Sequence, residues 1–151
     1  MKSIFAKAAA LALACTTLLS FTINRGGEGF EIYLNNKVVL QKFGKEMDKV
    51  SSLQLNAASS EDKMVIRYHH CGRVGKNRVI TIKDGNDKSL KEFHFNDASN
   101  AVSAMEIKVK ELVNIKSGNT VTLRLYYSSS ELPAGRMLVT LNTANRATTK
   151  L

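Results

Sequence analysis

The chain has 151 residues, 44% of them hydrophobic, with 22 Lys and Arg against 13 Asp and Glu, a formal net charge of +9. That length suits one domain with its own core and excludes two ordinary ones. The basic surplus favours anionic partners over cationic ones.

Lys2 and Lys7 are followed by the uncharged run AAALALACTTLLSFTI and then by polar, glycine-rich sequence from Asn24 to Gly29. A basic start, an apolar middle and a polar exit form the pattern of a secretory signal, and the run is at the short end for crossing a bilayer. The expected organisation is a signal over 1–24, a linker over 25–29, one domain over 30–142 and a polar tail over 143–151. Export places the protein in the periplasm, the cell envelope or outside the cell. It also sets nucleic acid aside and leaves an anionic polysaccharide or an envelope protein as the expected partner. Membrane attachment is expected only if Cys15 is lipidated; Ala12 three residues before it and the apolar sequence after it argue against that. Once the signal is removed Cys71 has no partner in the chain, so a disulfide scaffold is excluded.

Along the expected domain, Phe30, Ile32 and Leu34 alternate with polar neighbours, Asn35-Asn36-Lys37 makes a turn and Val38 to Phe43 returns. Lys45 to Val50 reads as a helical turn, and Ser51 to Asn56 as a third strand. Met64, Ile66, Tyr68 and His70 share one face of the next strand; Val65, Arg67, His69 and Cys71 share the other. The first set is the more apolar and is expected to face the core. Ile80 and Ile82 lead to the turn Asp84 to Asp87, and Leu90 to Phe95 follows. Residues 97–113 fit either a helical stripe or a strand; their β-branched residues favour a strand over 104–110 with a turn of helix after it. Thr120 to Tyr127 shows the strongest alternation, Leu132-Pro133-Ala134-Gly135 reads as a turn, and Met137 to Leu141 as the last strand. Eight or nine short strands predict an all-β fold, an antiparallel β-sandwich of immunoglobulin-like or C2-like general shape.

Two constellations stand out around the stretch from Met64 to Gly85. The loop Gly72-Arg73-Val74-Gly75-Lys76-Asn77-Arg78 departs from a phosphate-binding loop in its glycine spacing, has Asn77 after the lysine and leads into a strand, which excludes that motif. Arg73, Lys76 and Arg78 at a hairpin tip are still the candidate anion-binding residues, aided by backbone N–H groups. The alternative is a metal or thiol-redox centre. His69 and Cys71 on one strand face, with His94 from another outward face, carry ligand types suited to copper or zinc. No cofactor is otherwise expected. Asp84, Asn86 and Asp87 lack the glutamate of a calcium loop. With no paired carboxylates, no nucleophile elbow and no residue to orient a Cys71 and His69 pair, the expected function is non-catalytic binding or structural support.

The signal MKSIF…LSFTIN, together with GGEGFEIYLNNKVVLQKF, RYHHCGRVGKNRVITIKDG and LRLYYSSSELPAGRML, resembles small exported proteins of unknown function from Bacteroidota. The resemblance implies an envelope or extracellular location and transfers no activity and no site residue.

Overall fold

The computed structural model describes residues 27–55, 61–115 and 122–143. Nine strands form in chain order: β1 (Gly29–Leu34), β2 (Lys37–Phe43), β3 (Ser52–Leu55), β4 (Lys63–His69), β5 (Arg78–Lys83), β6 (Ser89–Phe95), β7 (Met105–Lys108), β8 (Thr122–Ser129) and β9 (Leu132–Thr143). A 3-10 turn (Gly44–Asp48) follows β2, and one short helix, α1 (Val109–Val113), follows β7. The strands make a four-stranded sheet in the order β2-β1-β4-β7 and a five-stranded sheet in the order β3-β9-β8-β5-β6. This is the predicted β-sandwich, with one departure from an all-antiparallel arrangement: β3 pairs with β9 in parallel, Ser52 opposite Thr140 and Leu55 opposite Thr143.

The alternating residues account for the two layers. Phe30 and Ile32 on β1, Met64, Ile66 and Tyr68 on β4, and Met105 and Ile107 on β7 are buried on the inner face of the first sheet. They meet Ile80 and Ile82 on β5, Leu123, Leu125 and Tyr127 on β8, and Val139 and Leu141 on β9. Each fully buried side chain of this size stabilises the fold by about 1.5–3 kcal/mol relative to exposure. The two open sides of the sandwich are closed by the crossovers. The 3-10 turn carries the chain from edge strand β2 to edge strand β3 and buries Met47, while α1 leaves edge strand β7 and buries Val109 and Leu112. Glu111 on α1 pairs with Lys91 on edge strand β6 at 2.8 Å, tying the two sheets together on that side.

The first hairpin forms as expected, with Asn35 and Asn36 both left-handed (φ 48° and 66°), a conformation asparagine tolerates better than most residues. Gly29 is the first residue of β1 rather than the end of a linker. A side chain there would run into the ring of Phe43 and meet the Lys42 carbonyl at 2.7 Å, so the ring of Phe43 lies where a Cβ would be.

The expected strand over 104–110 with a turn of helix after it forms as β7 and α1, with the change of element between Lys108 and Val109, whose N–H donates to the Asp62 carbonyl. Two expectations change. Leu132 to Gly135 is part of β9, and the reversal sits at Ser130 and Glu131 instead. Pro133 is tolerated because the other neighbour of β9, strand β3, pairs only with Thr140 to Thr143 and asks for no donor there. The strand around His69 stops at that residue, with consequences for the metal reading described below. The expected signal (1–24), most of the tail (143–151) and Asn56, Thr120 and Val121 lie outside the described residues.

Candidate functional site

One end of the sandwich gathers the polar groups. β4 ends at His69, but the backbone keeps His70 inward, and its ring is 4% exposed. The chain then reverses: the Arg73 N–H donates to the His70 carbonyl at 3.2 Å, and Cys71 and Gly72 between them are left-handed (φ 52° and 85°), as in a type I′ turn. Glycine suits such a position; cysteine adopts it at a cost of about 1 kcal/mol or more. Gly75 is buried against Tyr127 and His70, with a Cβ position only 3.0 Å from the Tyr127 hydroxyl, so the loop passes close over the rings.

Beneath the loop lies a seam between the sheets. Tyr68 from the first sheet stacks on Tyr127 from the second, centroids 4.3 Å apart and planes 20° from parallel. His70 is tilted against both rings, and its Nε2 lies 2.9 Å from the Tyr127 hydroxyl and 3.4 Å from Ser129 Oγ. The Tyr68 hydroxyl donates to Glu28, whose other oxygen is 3.5 Å from the Arg136 guanidinium. Burial pushes the Tyr127 hydroxyl up. Burial, then the hydrogen bond to Glu28, pushes the Tyr68 hydroxyl up further. Burial pulls His70 below the ordinary histidine range, and Arg73 adds to that while Glu131 and Glu28 oppose it. A neutral imidazole among protonated phenols is the arrangement these directions describe.

The loop is fastened on two sides. Lys76 N–H donates to Glu131 Oε2 (2.9 Å) and Asn77 N–H to Asp97 Oδ1 (2.8 Å). Ala98 N–H reaches the Gly75 carbonyl and Ser130 N–H the Lys76 carbonyl, both at 2.8 Å. Arg78 is 6% exposed; its Nε and one terminal nitrogen donate to the Asn96 carbonyl (2.9 and 2.7 Å) and the other to the Ser103 carbonyl (2.8 Å).

These contacts divide the three predicted anion-binding residues. Arg73 and Lys76 are exposed on the loop with Cys71 and Val74, but Arg78 is a buried strut whose guanidinium is spent on carbonyls. The backbone donors of Lys76 and Asn77, which an anion would need, are already held by Glu131 and Asp97. The protein's own carboxylates occupy the place assigned to a ligand.

The metal constellation is not brought together. A shared face for His69 and Cys71 requires the strand to run through Cys71, and the turn removes it. His69 lies on the outer face of the first sheet, 3.9 Å from Glu31 and edge-on to Phe43. His94 lies on the outer face of the second sheet, 72% exposed and 3.5 Å from Glu92, with the core between it and His69. Among the described residues no group of three His, Cys, Asp or Glu side chains is placed to hold a metal ion. Cys71 is exposed, which leaves its thiol accessible.

Two further features concern charge. Lys108 on β7 and Arg124 on β8 belong to different sheets, and Arg124 pairs with Asp87 at 2.9 Å. All acidic residues lie among the described ones, whereas Lys2, Lys7, Arg25, Lys116, Arg146 and Lys150 lie outside them, so much of the formal surplus is not on the described sandwich.

Tyr68, Glu28, Tyr127, Ser129, Glu131, Asp97 and Arg136 were not singled out by the sequence reading. The signals that pointed toward them were the alternations through Tyr68 and Tyr127, which placed two phenols inside the core where each hydroxyl must find a partner. The chain matches no family model, and no curated protein matches it.

Proposed function

We propose that the protein is an exported, non-catalytic β-sandwich module that binds an anionic polysaccharide or envelope partner through the loop over residues 71–77, with Arg73 and Lys76 as the contacting cations. The observation that carries this reading is the fastening of the loop. Its backbone is bonded to the segment at Asn96–Ala98 and to the turn at Ser130–Glu131, while the Arg73 and Lys76 side chains project outward. A prearranged surface loses little conformational entropy on binding. The catalytically capable side chains at this end, His70, Tyr127 and Ser129, are buried and engaged with one another.

The test is salt-dependent retention on immobilised polygalacturonate or dextran sulfate. An Arg73→Ala, Lys76→Ala variant is expected to elute at clearly lower salt than a Lys37→Ala, Lys108→Ala control of equal charge. Equal elution of the two variants would show attraction by net charge alone and sink the loop as the site.

The exposed thiol of Cys71 favours a second reading, thiol-redox chemistry at Cys71 without His69, which the turn leaves on another surface. Mass spectrometry after treatment with oxidised glutathione separates the two. A mixed disulfide at Cys71 that forms far faster than with free cysteine would make this second reading the leading one; the loop-binding reading expects no such enhancement.

A further inference from the structure

We propose that His70 is an acid-sensitive latch for the loop over residues 71–77, holding it down while the imidazole is neutral and releasing it when the ring is protonated. The inference stands on the geometry of this end of the sandwich and does not require that the loop bind a partner.

The latch follows from where the ring sits. His70 is the first residue of the turn that starts the loop, and its carbonyl accepts the Arg73 N–H that closes the turn. Its ring packs beside the stacked Tyr68 and Tyr127, tilted against both, and against Gly75, so the loop is folded over it. The space left here, bounded also by Arg78, Ser103 and Met105, does not admit a water molecule. An imidazolium in this position therefore has little access to solvent, and opening the loop is the way to supply it.

The surrounding charges do not replace that solvent. On β4 the neighbour is the Tyr68 phenol, and on β8 the neighbours are Tyr127 and Ser129, which share the one nitrogen Nε2. Glu131, in the turn after β8, would favour a cation, but its carboxylate accepts the Lys76 N–H. Glu28, ahead of β1, is engaged by Tyr68 and Arg136. Arg73 in the loop opposes a second positive charge, and the buried Arg78 guanidinium on β5 lines the same space. Burial is the largest influence on the ring and acts in the same direction as Arg73.

The sign of the pH dependence follows. The closed loop binds the proton more weakly than the open loop does, so closure is fully stabilised above the ordinary histidine range near pH 6.5 and is lost as pH falls below it. One proton gives at most about a tenfold rise in the open population per pH unit.

Hydrogen exchange of the full chain tests this. Exchange is compared between pH 7.5 and 5.0 after correction for the intrinsic rate, at the amides of Lys76, Asn77, Ala98 and Ser130. In the wild type their protection is expected to fall several-fold at the lower pH while that of Ile66 and Ile80 in the core holds. In His70→Phe, which fills the space without titrating, protection should not depend on pH. Unchanged protection in the wild type overturns the proposal. An equal fall in His70→Phe also overturns it, because the response then does not come from the ring. Should His70→Phe not fold, an NMR titration of the wild-type ring decides: a midpoint at or above the ordinary histidine value with the loop still protected refutes the latch.

Discussion

Replacing Tyr127 by alanine is expected to lower the unfolding free energy by about 4 kcal/mol, the cost typical of deleting a buried aromatic ring. Tyr127 is fully buried in the middle of the five-stranded sheet and stacks on Tyr68 of the other sheet, so the deletion removes the aromatic stack that joins the layers at this end. It also strips His70 of its closer hydrogen-bond partner. Tyr127→Phe keeps the ring and loses only the hydroxyl, and should cost about 1–2 kcal/mol. Urea unfolding of both variants, read from midpoints at unchanged slope, separates the two contributions. If phenylalanine costs as much as alanine, the energy resides in the hydroxyl and its partners rather than in the stack. A cost below about 1 kcal/mol for alanine would mean that the seam closes around the missing ring, contrary to the close packing described.

Arg78→Ala is expected to cost about 3 kcal/mol, because three charge-assisted hydrogen bonds disappear and the Asn96 and Ser103 carbonyls lose their donors. Lysine should recover little of this. A single ammonium on a flexible stem cannot present the planar fork that reaches two carbonyls from two points of the same loop. The damage should be local as well as global, so amide exchange should rise most over residues 96–103 and at Asn77. An Arg78→Lys variant of wild-type stability would show that position 78 needs only a positive charge, and the strut would then be the wrong description.

The contrast between Arg78 and its neighbours Arg73 and Lys76 shows where the sequence stops being informative. All three are cations in one short loop; parity with Ile80 and Ile82 puts Arg78 on the inward face, but nothing local names its partners. Arg78 is buried because it is the first residue of β5 and points toward the loop after β6, a segment whose carbonyls are 18 and 25 residues away. The same applies to the histidines. Alternation from Met64 through Ile66 and Tyr68 correctly put His70 on the inner face, since a strand's period of two is a local property. It failed one residue later, because Cys71-Gly72 forms a turn and the face shared by His69 and Cys71 ends with the strand.

The sequence alone determined the all-β sandwich, its eight or nine short strands and most of its core, because alternation and turn residues act between near neighbours. It also determined the left-handed turn at Asn35 and Asn36. The tertiary structure decided the parallel pairing of β3 with β9, the buried seam of Tyr68, His70 and Tyr127, and which polar groups are spent inside the molecule. Those depend on partners distant in the chain, as between Arg78 and Asn96, Glu28 and Tyr68, His70 and Tyr127, or the paired strands β3 and β9. No local pattern encodes such a partner, and burial makes each of those groups require one.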